Sequence, residues 1–187
     1  MPTKFEINVE IKTKCRKGDY VSFEIIKAIC NQMILTMSYY DGEKVVPMSK
    51  DISKSYYGKT MVIYNERKYG RGLDLITLPD GIIALKQTLP ASSQDIMDFY
   101  TLLLVLLKTF KCKNFCLGGE KCKEKDGVVI LKQMHFSGNF LNENRDIKII
   151  KGVLCDVELD DKFYNELAMS TNKQEFLDNY LDKCQRK

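Results

Sequence analysis

Three cysteines and a histidine are the first side chains in this sequence that invite a chemical reading. Cys112, Cys116 and Cys122, with His135 downstream, supply four soft ligands of the kind a structural zinc ion takes. The spacing argues against a metal. Zinc knuckles pair their ligands across about two to four residues twice over, whereas here only Cys112 and Cys116 fit, and Cys112 falls near the end of an apolar helix. The expectation is ordinary reduced cysteines, no metal and no cofactor. A cysteine nucleophile would have to use His135, the single histidine, as its base, with the neighbouring lysines favouring the thiolate. No motif ties one cysteine to that histidine, and no G-x-S-x-G elbow presents a serine. The reading leans away from an enzyme.

Two other stretches carry binding chemistry. Tyr69-Gly70-Arg71-Gly72 brings backbone amides and a guanidinium together, as a phosphate site would, but it is too short for a P-loop and lacks its Lys-Ser/Thr. It reads as a tight connection between strands, with Arg71 a candidate binding residue. Tyr56, Tyr57, Tyr64 and Tyr69 alternate with Lys54, Lys59, Arg67 and Lys68, a stacking-plus-charge pattern suited to single-stranded nucleic acid.

Charge is unevenly spread. The formal net charge is +4, yet residues 108–125 hold six lysines against Glu120 and Glu124, while 156–182 hold eight acids against Lys162 and Lys173. Arginine, the side chain with the bidentate fork for phosphate and guanine, is scarce. The basic segment, with Lys121, Lys123 and Lys125 as its likeliest contacts, therefore points to an acidic partner more than to nucleic acid. The acidic end reads as solvated helix faces.

These residues must be positioned by a soluble core. Hydrophobic residues make up 44% of the 187-residue chain and charged residues 29%, an ordinary globular balance that implies one domain, or two small subdomains meeting near 50–60. Seven cysteines, an odd number, and an opening MPTKFEINVEIK without an apolar run imply a reducing cytoplasm. The apolar run 99–107 is under half of the about 20 residues a membrane span needs, so no membrane is expected.

Periodicity gives the elements. Residues 4–11 alternate apolar and polar, a half-buried strand; Ser22 caps a helix with Phe23, Ile26, Ile29, Cys30 and Met33 on one side. Residues 34–40 could continue the helix or form a strand, and Asp41-Gly42 followed by Lys44-Val45-Val46-Pro47 is a hairpin signal that favours the strand; a strand at 61–64 follows, then a hairpin of 73–78 and 82–88 turning on Pro79-Asp80-Gly81. A helix over 93–110, capped at Ser92 or Ser93, is apolar enough to be buried on nearly every side. Residues 111–127 read as a basic loop, 128–134 as a strand, 139–144 as a turn, 147–159 as one or two strands around Gly152, and 160–169 and 172–184 as helices. Such an order, with no strict strand–helix alternation, predicts an α+β fold: a largely antiparallel sheet, a buried central helix and C-terminal helices.

Gly70-Arg71-Gly72-Leu73 leading into a strand, Leu89-Pro90 through Phe99-Tyr100 leading into the long helix, and Phe115 with Gly119-Glu120 beyond it resemble a family of uncharacterised bacterial proteins, a domain of unknown function. The resemblance covers residues 60–125. It implies a bacterial cytoplasmic source and transfers no functional residue.

The sequence thus favours a non-catalytic protein that binds another protein, as an immunity or accessory factor does. Two alternatives stand beside it: a nucleic-acid binder using the Tyr/Lys surface, and an enzyme whose site is assembled from residues distant in sequence.

Overall fold

A computed structural model describes residues 6–42, 44–48 and 56–186, without the side chains of Pro47 and His135. Lys54 of the Tyr/Lys stretch lies outside the described residues. The fold is α+β, built on an eight-stranded sheet in the order β3-β2-β4-β5-β6-β1-β7-β8, and every pairing described is antiparallel.

Strand β1 (Glu6–Lys12) buries Ile7, Val9 and Ile11 and sits inside the sheet between β6 and β7. Helix α1 (Phe23–Gln32) buries Phe23, Ile26, Ile29 and Cys30, and Ser22 is its N-cap residue, although its hydroxyl bonds no helix amide. Strands β2 (Thr36–Tyr40), β3 (Val45–Pro47) and β4 (Met61–Tyr64) form one flank of the sheet. Strands β5 (Leu73–Leu78) and β6 (Ile82–Thr88) are the expected hairpin. Its turn takes Asp80 and Gly81 to φ of 64° and 69°, and a Cβ on Gly81 would lie 2.5 Å from Thr13 Oγ1, so glycine is required there.

Helix α2 (Ser93–Thr109) opens on a capping box: Ser92 Oγ accepts from the Asp95 amide while the Asp95 carboxylate accepts from the Ser92 amide. Its buried residues, among them Phe99, Leu102, Leu103, Leu106 and Leu107, lie on the same side of the sheet as α1's. The expected burial on nearly every side is corrected, because Met97 is exposed and Leu104 and Val105 are half-buried.

Three further expectations are overturned. The basic loop at 111–127 is largely a hairpin, β7 (Asn114–Leu117) and β8 (Glu120–Lys123), turning on Gly118 and Gly119, both at positive φ as two-residue hairpin turns require. An edge hairpin needs one apolar face only; Phe115 supplies it, with Leu117 and Cys122 packed beside it. Residues 128–134 are no strand but part of a run of 3-10 turns, Glu124–His135, laid against α2. Only Ile130 of its branched residues is fully buried, and Val128 and Val129 face solvent. The asparagine-rich stretch expected to be a turn is helix α3 (Phe136–Glu143), formed because Leu141, Ser137 and Gly138 bury against later helices.

Strands β9 (Ile149–Lys151) and β10 (Asp156–Glu158), with helices α4 (Asp161–Met169) and α5 (Lys173–Gln185), complete the chain. They share a second apolar cluster with α3, including Leu141, Phe163, Leu167, Leu177 and Leu181. The second cluster therefore starts beyond the 3-10 run. Among the described residues, no helix is long and apolar enough to cross a membrane.

Candidate functional site on the open face of the sheet

Alternation along each strand sends apolar side chains to α1 and α2 and the others to the opposite face, and the cross-strand register lines these up in rows. One row runs Val62, Asp74, Lys86, Asn8 across β4, β5, β6 and β1. A second runs Ile76, Ala84, Glu10, Cys116, Lys121 across β5, β6, β1, β7 and β8. This open face is charged, and two of the concavities on it gather basic side chains.

The first is a groove of about 570 Å³ where the end of β1, the end of α2 and the β7–β8 hairpin meet. Lys12, Lys14, Lys111, Lys113 and Lys121 line it, with Glu10 the one carboxylate among them. None of the five lysines is ion-paired among the described residues. The antiparallel pairing of β1 with β7 assembles it, bringing Lys12 and Lys14 to the basic segment.

The second is a cavity of about 240 Å³ over β4, β5 and β6, closed at one side by the β9–β10 turn, whose Val153 packs on Val62 and Tyr64. Arg71, Lys86, Lys151 and Asp74 converge on it. Lys86 is held by Glu6 at 2.7 Å. Lys151 lies 4.1 Å from the centre of the Tyr40 ring, a cation–π contact. Burial pushes the Asp74 carboxyl up, opposed by Lys86, Arg71 and Lys151; burial likewise pulls the Arg71 guanidinium down, against the pull of Asp95 and Asp74.

The Gly70-Arg71-Gly72 backbone does cradle an anion, and that anion is the protein's own. Asp95 accepts from the amides of Arg71 and Gly72, each at 2.9 Å, and from the amide and hydroxyl of Ser92. A Cβ on Gly70 would lie 2.1 Å from Asp95 Oδ2, so glycine there lets the loop close on the helix. The tight strand connection expected from sequence is thus locked to α2, and the Arg71 side chain is directed to the cavity wall.

The other expected site residues disperse. Of the three proposed lysine contacts only Lys121 lines the groove; Lys123 follows it in β8, its amide donating to Asp126, and Lys125 sits in the 3-10 run. Arg71 belongs to the other cavity. Cys116 pairs with Lys121 on the open face, whereas Cys122 pairs with Phe115 and packs on the core from the opposite face. Neighbouring strands thus hold those two thiols apart. Cys112 bonds the Lys12 carbonyl, and burial pushes its thiol up despite Lys14, so it lacks the lowered pKa of a nucleophile. The His135 side chain lies outside the described residues; among the described residues no three potential metal ligands come together.

The four tyrosines form no shared platform. Tyr56 and Tyr57 pack with Phe23 on the helix side, and Tyr64 and Tyr69 lie against each other on the open side. The acidic C-terminus is also more than a solvated face: Asp178 is buried and accepts from the Ser93 amide, and Asp182 accepts from the Tyr69 amide.

Fold and site together define an antiparallel α+β protein with α1 and α2 on one sheet face and a charged, pocketed open face. The chain belongs to the family described as a domain of unknown function (DUF4299), whose model matches residues 4–187, well beyond the 60–125 that carried the resemblance. No curated protein and no solved structure matches it.

Proposed function

We propose that this is a non-catalytic cytoplasmic bacterial protein that binds an acidic polypeptide partner, as an immunity or accessory factor, through the lysine groove. The observation that carries the reading is five lysines, none ion-paired among the described residues, around one groove with Glu10 as the only carboxylate lining it. Such a patch raises the encounter rate with an acidic partner and loses that advantage as salt screens it over about 8 Å at physiological strength. A groove lined by lysine without arginine, and the division of Tyr56 and Tyr57 from Tyr64 and Tyr69 between the two sides of the sheet, favour a polypeptide over nucleic acid. Seven free thiols suit a reducing compartment.

The test uses the full chain and two labelled probes of equal charge, a glutamate- and aspartate-rich peptide and a single-stranded oligonucleotide, titrated at low and physiological salt. The peptide is expected to bind more tightly than the oligonucleotide. Its affinity should fall with salt, and by at least about tenfold in Lys14→Glu/Lys111→Glu/Lys121→Glu, with the fold intact because surface changes cost under about 0.5 kcal/mol each. Tighter binding of the oligonucleotide would transfer the groove to nucleic acid. Salt-insensitive binding, or an unaffected triple variant, would leave it a solvated surface.

A further inference from the structure

We propose that the cavity over β4, β5 and β6 is a binding site for a small ligand carrying an oxyanion, a carboxylate or a phosphate, with Arg71 as its anchor. Asp95 fixes the amides of Arg71 and Gly72, so the arginine is set on a rigid loop and not on a mobile one. Its guanidinium has five donors, of which, among the described residues, one reaches a protein acceptor, the Pro90 carbonyl, at a long 3.4 Å. No carboxylate lies within ion-pairing distance of it among the described residues. A guanidinium so placed is largely withdrawn from water without the bidentate partner that usually compensates it.

The charges around it favour an anion. Lys86 is neutralised by Glu6, which leaves Arg71 and Lys151 against Asp74, the one carboxylate lining the cavity, while Asp95 and Asp156 act on Arg71 from outside it. Thr60 and Thr88 add hydroxyls, and Val45, Val62 and Val153 provide an apolar wall for the non-ionic part of the ligand. At about 240 Å³ the cavity lies below the usual range of roughly 300–1,000 Å³ for drug-sized ligands, so it suits a small metabolite. The lysine groove is separate from it, so this site stands or falls independently of the proposed partner.

Calorimetric titration of the full chain tests it, with inorganic phosphate, glycerol phosphate, lactate and succinate as probes at constant ionic strength. Saturable binding of at least one probe is expected, weakened at least about tenfold in Arg71→Lys, which keeps the charge but loses the fork, and also weakened in Lys151→Ala. The groove variant Lys121→Glu should bind as wild type does. Binding confined to the phosphates or to the carboxylates identifies which oxyanion the site takes. The proposal is overturned if no probe binds, or if Lys151→Ala and a folded Arg71→Lys, verified by an unchanged melting temperature, bind as tightly as wild type.

Discussion

At the scale of single residues, the N-terminus of α2 concentrates the buried carboxylates. Asp95 is compensated by four donors, whereas Asp98, one turn on, receives Gln94 Nε2 at 2.9 Å and Asn65 Nδ2 at 3.5 Å. Burial outweighs those bonds and pushes the Asp98 carboxyl up to about 6. A carboxyl whose folded pKa exceeds its unfolded value stabilises the fold below the unfolded pKa, and that contribution is lost as pH rises through the folded one. The chain should therefore lose stability between about pH 4 and pH 6 on account of Asp98. Asp98→Asn removes the penalty: unfolding free energies from urea titration should match wild type near pH 4 and exceed it by about 1–2 kcal/mol above pH 7, the figure being reduced for partial exposure. An equal or lower midpoint for the variant at the higher pH would contradict this.

At the scale of elements, α2 carries the main core. Leu106 is fully buried between sheet and helix, so Leu106→Ala should cost about 2–5 kcal/mol, read from denaturant midpoints; a cost under about 1 kcal/mol would remove α2 from that role. This helix was readable from sequence, as were β1, the β5–β6 hairpin and the two C-terminal helices, because each has its own cap, turn or period. What escaped was set by neighbours. The β7–β8 hairpin hides behind its lysines because an edge pair buries one side chain in two, although Gly118-Gly119 was a turn signal that could have disclosed it. The run 124–135 has strand-like Val128-Val129-Ile130, but only Ile130 finds a buried place on α2. The groove was half visible: Lys111, Lys113 and Lys121 are close in sequence, whereas Lys12 and Lys14 reach them through strand pairing that no local pattern encodes. Arg71 stood out by its flanking glycines, yet its cavity-mates Asp74, Lys86 and Lys151 come from three different strands.

At the scale of the whole molecule, α5 joins the two apolar clusters and, through them, the open face. Its Leu177 and Leu181 bury in the second cluster, while Gln174, Asp178, Asp182 and Gln185 turn polar atoms to the sheet side. Gln174 donates to the Ala91 carbonyl and accepts from the Gly138 amide, Asp178 accepts from the Ser93 amide, and Gln185 donates to the Gly70 carbonyl at 2.6 Å. Gly138 permits this closeness, since a Cβ there would lie 2.5 Å from the Lys173 backbone. A buried polar network with every member paired fixes one arrangement, and removing a member leaves its partners unpaired at about 1–3 kcal/mol each. The α3–α5 layer and the sheet should then open as one unit in wild type. In Gln174→Ala/Asp178→Ala, hydrogen exchange should show α3, α4 and α5 opening at lower free energy than β5 and β6. Because Gln185 and Asp182 also hold the Gly70 and Tyr69 backbone beside Arg71, the same variant should weaken any oxyanion binding without touching a cavity residue. Exchange from α5 that still tracks β6 in the double variant would show that apolar packing alone couples the two layers.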